Sequence, residues 1–172
     1  MSATFQLVDP PTTLPSWYPP ANPECPSEYS IRFVELDMLI GTMAAVGVVI
    51  EQSDSHAEVA DGRIPSSVFE EPGAWIDPAK CKLISQALRR FTSEPVPDAL
   101  FESLQRRWNT IQDRFRRQVA ARGEVVISGL EPFPYDAISL RGVLLHWGGF
   151  NAIAADNKGY RVREYVTHKP NQ

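Results

Sequence analysis

The first regular hydrophobic pattern in this chain lies between Tyr29 and Gly47. Apolar residues recur there at intervals of three and four, which is the spacing of one face of an α-helix. These residues are Ile31, Phe33, Leu36, Leu39, Ile40 and Met43. Ser30 is predicted to cap the start of the helix and Gly47 to end it. Val48–Ile50 then predicts a short strand of β-branched residues.

Two further helices are predicted in the middle of the chain. Asp77-Pro78 places an acid at the N-cap and a proline at the first helical position, and the apolar stripe that follows continues to Phe91. A long helix is predicted from Asp98 to Arg122, ended by Gly123. Its inner face is predicted to consist of Phe101, Leu104, Trp108, Ile111, Phe115 and Val119.

The last third of the chain predicts one more helix and short strands. Asp136 is expected to cap a helix from Ala137 to Trp147, stopped by Gly148-Gly149. Phe150–Asp156 and Tyr160–Thr167 flank Asn157-Lys158-Gly159, which is a hairpin turn signal. Glu124–Ser128 is predicted as a separate short strand, and residues 51–76 as a long polar loop without periodicity.

Residues 1–27 are rich in proline. Pro-Pro occurs twice, so neither a helix nor a central strand is expected, and Trp17 and Tyr18 are expected to pack an extended arm onto the body. An alternative is that the arm is a ligand for a proline-recognising groove. The sequence therefore predicts an α+β fold, mainly helical with a small antiparallel sheet, in which the arm precedes a single domain over residues 28–172.

Charge divides the chain into two unlike halves. Residues 1–77 hold 12 acidic residues against two arginines, a formal charge of −10, whereas residues 78–172 hold 15 basic against nine acidic, or +6. Eight arginines lie between Arg89 and Arg122. We interpret them as a solvated helix face that pairs with acids of the front half, so nucleic acid is not the expected partner.

The composition is ordinary for a globular protein, with 43% hydrophobic and 22% charged residues. The longest apolar run, Met38–Ile50, is shorter than the roughly 20 residues of a membrane span. The N-terminus lacks a basic region and an apolar core of signal-peptide length. We therefore expect a cytoplasmic protein without a membrane partner.

No motif for catalysis, a cofactor or a metal is found. The three histidines lie far apart, and no CxxC or GxSxG occurs. Cys25 and Cys81 lack the setting of reactive thiols, although a bridge between them stays open. The alternative that remains is an enzyme whose active site lies near His146, with Asp136 and Arg141.

One resemblance follows from the order of these segments. The helix pattern of Tyr29–Gly47, a polar loop, Gly73–Pro78 leading into the helix that ends at Phe91, and the helix of Trp108–Phe115 follow one another. This arrangement resembles small bacterial proteins that include immunity proteins of polymorphic and contact-dependent toxin systems, over residues 29–125. The resemblance implies a non-enzymatic binder and carries no catalytic residue.

The loop Glu51–Glu71 is the predicted binding patch. Acidic surfaces steer basic partners, so we expect an inhibitor-like protein that neutralises a basic toxin. A further alternative is self-association, in which the acidic front of one copy meets the basic back of another. The residues predicted to contact the partner are Glu51, Asp54, Glu58, Asp61, Glu70 and Glu71.

Overall fold

The computed structural model describes residues 2–11, 27–51, 62–123 and 131–163. Within these ranges the chain is mainly helical with a small antiparallel sheet, which confirms the predicted α+β class. Two 3₁₀ helices cover Ser66–Glu70 and Arg89–Thr92. The other elements are β1 (Ser2–Leu7), β2 (Glu28–Arg32), α1 (Phe33–Ala45), β3 (Val49–Ile50), β4 (Ile64–Pro65), β5 (Trp75–Ile76), α2 (Pro78–Leu88), α3 (Asp98–Ala121), α4 (Ala137–Asp156) and β6 (Tyr160–Val162).

Strand β1 lies inside the four-stranded sheet, whose order is β2-β1-β6-β5. Phe5 is opposite Tyr29 on one side and Val162 on the other, in antiparallel pairs. The expectation that residues 1–27 form no central strand was therefore wrong. The first proline is Pro10, so the residues before it keep the amide donors that a sheet ladder needs. The inward side chains of β1 are Ala3, Phe5 and Leu7.

Several predictions lie outside the described residues. They are the packing of Trp17 and Tyr18, the environment of Cys25, and the strand at Glu124–Ser128.

The hydrophobic core is built around aromatic side chains from the sheet and α4. Phe5, Trp147, Phe150 and Tyr160 are fully buried, and their contacting rings have centroids 5.3 to 6.0 Å apart. The Tyr160 hydroxyl donates to Oδ1 of Asn151 at 3.0 Å, and the Asn151 amide donates to the Trp147 carbonyl at 2.9 Å. These buried polar groups are thus hydrogen-bonded within the core, as stability requires.

Helix α1 begins later than predicted. Tyr29 and Ile31 are the buried residues of β2, whose alternating pattern belongs to a strand. The N-cap is Arg32 and not Ser30, and the Arg32 amide donates to the Glu35 carboxylate at 3.3 Å. The predicted end of the helix is confirmed, because Gly47 follows with a φ of +85°, a conformation that glycine adopts without strain.

Helices α2 and α3 begin where the sequence predicts. Asp77 caps α2 and accepts from the Lys80 amide at 2.9 Å and from the Lys80 ammonium at 2.7 Å. Partial burial would raise the pKa of Asp77, but these bonds outweigh it and lower the pKa. Helix α3 ends at Ala121, one residue before the predicted Arg122.

The predicted end of α4 was wrong. The helix runs to Asp156 through Gly148-Gly149, so Phe150–Asp156 is helical and forms no hairpin strand. A Cβ at Gly148 would lie 3.2 Å from the Cβ of Leu88 on α2. The missing side chain therefore lets the two helices approach closely, and this packing outweighs the low helix propensity of glycine.

The predicted loop over residues 51–76 contains short elements in its described part. β4 pairs with β3 in parallel, the first 3₁₀ helix follows at once, and β5 joins the sheet edge beside β6. Ile64, Phe69 and Ile76 are fully buried, or nearly so, and anchor this segment to the core. The prediction of one long loop was wrong here because three isolated apolar residues carry no periodicity.

The outer half of α3 differs from the predicted inner face. Leu104 and Trp108 are buried, but Phe115 is 56% exposed. From Asn109 to Ala121 no side chain of the helix is buried. About 20 Å of helix, at 1.5 Å per residue, therefore lies largely at the surface.

Candidate binding surface

Arg107 joins three separate elements at the surface between α1 and α3. Its Nε and Nη2 donate to the two carboxylate oxygens of Asp37 on α1, at 3.1 and 3.0 Å. Nη2 also donates to Oε1 of Glu51, just after β3, at 2.5 Å. Burial alone would lower the pKa of Arg107, but the hydrogen bonds and charges of Glu51 and Asp37 raise it overall.

The side chain of Arg107 crosses α1 at Gly41. A Cβ at Gly41 would lie 2.7 Å from both Cδ and Nε of Arg107, closer than atoms of this kind approach one another. The absence of a side chain at this position therefore makes room for the arginine. Glycine in the middle of α1 has a specific reason, since Arg107 reaches Asp37 across it.

Glu70 brings a third carboxylate to the same region. It ends the 3₁₀ helix behind the buried Phe69, and it is exposed. Desolvation raises the pKa of Glu70, and the negative charge of Asp37 raises it further. We refer to Asp37, Glu51 and Glu70 as the acidic cluster. Within the described residues Arg107 bonds Asp37 and Glu51 but not Glu70, so Glu70 adds a negative charge that Arg107 does not pair.

The six predicted contact residues have different outcomes. Arg107 joins Glu51 to Asp37, and Glu70 is near enough for the charge of Asp37 to raise its pKa. Glu71 is partly buried in the turn after the 3₁₀ helix, where its carbonyl accepts from the Ala74 amide at 3.0 Å. The other three, Asp54, Glu58 and Asp61, lie outside the described residues.

Sequence reasoning missed Asp37 and Arg107. One local signal was available, since Gly41 follows Asp37 by one helical turn and leaves a gap on the same face of the helix. Such a gap beside an acid indicates a long side chain from elsewhere. The identity of that side chain could not be read from the sequence, because Arg107 is 70 residues away.

A groove of about 600 Å³ lies beside the acidic cluster. One wall is formed by α3 and the other by Asp37 and Glu51. Within the described residues, Arg106 and Arg114 have no ion-pair partner, and we refer to these two as the cationic face of α3. Carboxylates and unpaired guanidinium groups thus line one groove. The α3 residues that line it are Ser103, Arg106, Arg107, Thr110, Ile111 and Arg114.

A second polar network fixes the opposite side of α3. Arg32 pairs with Glu35 and Glu131, each at 2.9 Å, and lies over the Trp108 ring at 5.4 Å. The Tyr135 hydroxyl donates to Glu35 at 2.9 Å. Partial burial, and then the bond to Glu35, raise the pKa of Tyr135. The network has a structural role, since it holds α3 and the segment after it against the start of α1.

The three residues of the enzyme hypothesis do not converge on one site. Asp136, Arg141 and His146 are five residues apart along α4, about 7 Å per step. Asp136 accepts from Ser139 at 2.8 Å as the helix cap, which lowers its pKa. Arg141 donates to backbone carbonyls of the second 3₁₀ helix, and burial lowers the pKa of His146. Two of the three therefore serve the fold directly.

Cys81 is buried and its thiol donates to the Ile76 carbonyl at 3.6 Å. Desolvation, followed by the charge of Asp77, raises the pKa of the thiol to about 12. The thiol is therefore protonated at physiological pH, which agrees with the prediction that it is not a reactive cysteine.

No family model, curated protein or solved structure matches this chain. In the part of the chain that the structure describes, none of the helices combines the length and apolar character needed to cross a membrane. The same ranges hold no group of three or more histidine, cysteine, aspartate or glutamate side chains placed to bind a metal ion.

Proposed function

We propose that the protein is a non-enzymatic binding module of the inhibitor or immunity type, and that the acidic cluster contacts a basic protein partner in the cytoplasm. One observation carries the proposal. Asp37 and Glu51, from two separate segments, are held on a single arginine, and the charge of Asp37 adds to desolvation in raising the pKa of the nearby Glu70.

The acidic cluster has two properties that suit a docking surface. It is held in place, because α1, β3 and the anchored 3₁₀ helix each contribute one member. It is also accessible, since Glu51 is 47% exposed even in its ion pair. A preorganised charged surface loses little entropy on binding and raises the rate of association with an oppositely charged protein.

The test is site-specific photo-crosslinking in a lysate of the source cells. A photoreactive amino acid replaces Glu70 in one variant and Glu94, an exposed acid after the second 3₁₀ helix, in the matched control. We expect position 70 to capture one protein of high isoelectric point and position 94 to capture none. Raising the salt concentration before illumination should abolish the capture, because salt screens exposed charges.

Three outcomes would contradict the proposal. They are equal capture at both positions, capture of an acidic protein other than this chain at position 70, and capture that is independent of salt. Cross-linking of the chain only to itself would instead indicate that the acidic cluster faces a second copy.

A further inference from the structure

The α3 groove places opposite charges side by side on one surface. Asp37 and Glu51 form one wall, and Arg106 and Arg114 lie on the other. A surface of this kind is complementary to itself after a rotation of 180°, since the rotation sets the cationic side of one copy over the carboxylates of the other. A wall with only one sign of charge would instead repel the same wall of a second copy.

The shape of α3 adds a second complementarity. Its outer half, from Asn109 to Ala121, buries no side chain and exposes Phe115, and the groove extends along α3 from Ser103 to Arg114, just short of Phe115. Two copies related by a two-fold axis could each place an outer helix half against the groove of the other. The apolar Ile111 lines the groove, and Phe115 lies one turn further along the helix.

We infer that this surface is a symmetric interface between two copies of the chain. In it, Arg106 and Arg114 of each copy meet the acidic cluster of the other, and Phe115 of each is covered. Arginine and aromatic side chains beside a charged rim are the usual composition of such interfaces. The inference uses the acidic cluster of the proposed function but does not depend on the basic partner.

A nucleic acid or an acidic membrane would also be attracted by arginines. The carboxylates of Asp37 and Glu51 line the same groove and would repel a continuous row of phosphates. A second copy presents both signs of charge, so it can pair with the carboxylates of one wall and the arginines of the other. This difference favours self-association over the other occupants.

The experiment measures the dimer dissociation constant by sedimentation equilibrium at low and high salt. Two charge-reversed variants are compared with the native chain: Arg106→Glu with Arg114→Glu, and Glu51→Lys, which reverses an acid that lines the groove. The matched control is Lys82→Glu with Arg89→Glu, which reverses two exposed cations on the α2 side of the molecule. Circular dichroism and urea unfolding show whether each variant is folded.

We expect each reversed variant to weaken the dimer about tenfold or more, because it sets like charges against each other. A 1:1 mixture of the two should restore it, since each copy then carries the charge that the other requires. Phe115→Ser should weaken the dimer in all salts, whereas the control should behave like the native chain. Raised salt should weaken the native dimer.

A native chain that is monomeric at every concentration and salt would overturn the inference. So would a dimer that both reversed variants leave intact, or a mixture that fails to restore it. A monomer that shifts a labelled single-stranded RNA through Arg106 and Arg114 would show that α3 binds nucleic acid instead. The arginine reversals keep the acidic cluster, so persistent capture at position 70 would leave the proposed function standing.

Discussion

Substitution of Gly41 by alanine is the sharpest test of the contact between α1 and α3, in which Arg107 crosses α1. In a helix interior alanine is favoured over glycine by about 1 kcal/mol, so a glycine without a structural reason should be improved by the change. At this position the new Cβ would lie 2.7 Å from Cδ and Nε of Arg107. The arginine must therefore move, and its bonds to Asp37 and Glu51 are strained or lost.

The expected magnitude follows from these bonds. Hydrogen bonds to charged groups contribute about 1.5–3 kcal/mol when shielded and exposed ion pairs about 0–1 kcal/mol. Asp37 and Glu51 keep 27% and 47% of their side-chain exposure. We therefore expect the bonds of Arg107 to Asp37 and Glu51 to contribute about 1–2 kcal/mol together to the free energy of unfolding. The gain of about 1 kcal/mol in helix propensity partly offsets the loss of these bonds. Gly41→Ala should therefore leave the free energy of unfolding unchanged or lower it by up to about 1 kcal/mol.

The assay is urea unfolding followed by tryptophan fluorescence in a double-mutant cycle. In an Arg107→Ala background nothing obstructs the new methyl group, so Gly41→Ala should stabilise by about 1 kcal/mol. The coupling between the two positions should be about 1–2 kcal/mol, beyond the roughly 0.5 kcal/mol scatter of independent sites.

The chain supplies a matched control for this cycle. Gly142 lies inside α4, and a Cβ there would meet nothing within 4 Å. Gly142→Ala should stabilise both backgrounds equally, by about 1 kcal/mol. If Gly41→Ala also stabilised both backgrounds equally, the crossing of Arg107 over α1 would be refuted.

Three further predictions address the remaining contacts. Gly148→Ala should leave stability unchanged or lower it by up to about 2 kcal/mol in urea unfolding, because overpacking against Leu88 cancels or exceeds the helix gain of about 1 kcal/mol; a gain of that full size would contradict the close packing of α2 and α4. In a variant whose other cysteine is serine, Cys81 should resist alkylation at mildly alkaline pH until urea is added, and rapid labelling of the native chain would contradict its burial. The native state binds the Glu70 proton more tightly than the unfolded state, so stability falls as pH rises from the ordinary pKa of 4.5 towards the raised one. Glu70→Gln should therefore stabilise at neutral pH but not well below pH 4.5, and an equal effect at both would contradict the raised pKa that desolvation and the charge of Asp37 give Glu70.

The elements that local chemistry dictates could be predicted from the sequence. The start of α2 follows from Asp77-Pro78, the stop of α1 from Gly47, and the bounds of α3 from its periodicity. Each signal lies within one helical turn of the feature that it controls. No information from distant parts of the chain is needed at these positions.

Tertiary contacts decided the elements that were predicted wrongly. Gly148-Gly149 is a local stop signal, but Leu88 packs into the space that Gly148 leaves, and α4 continues. In β1, three inward side chains before Pro10 are too few to distinguish a strand from an arm without knowledge of its neighbours β2 and β6. Ile31 and Phe33 are two residues apart, a spacing that is compatible with a strand that leads into a helix.

The candidate site shows the same division. Sequence composition indicated that acids of the front half pair with arginines of α3, and Arg107 pairs with Asp37 and Glu51. Which acids remain in excess could not be predicted, because that depends on the distance between α1, β3 and the 3₁₀ helix. Glu70 was predicted as one of six equivalent acids, and the structure distinguishes it by its proximity to Asp37.

The most direct test of the proposed function is the rate of association with the protein captured at position 70, measured by stopped flow over a salt series. Glu51→Gln with Glu70→Gln removes two charges from the acidic cluster, and Glu94→Gln with Glu102→Gln removes two exposed charges elsewhere. We predict that the first pair slows association about tenfold or more at low salt and flattens its salt dependence, while the second pair follows the native chain. Equal rates and equal salt slopes for the native chain and the cluster variant would contradict the account.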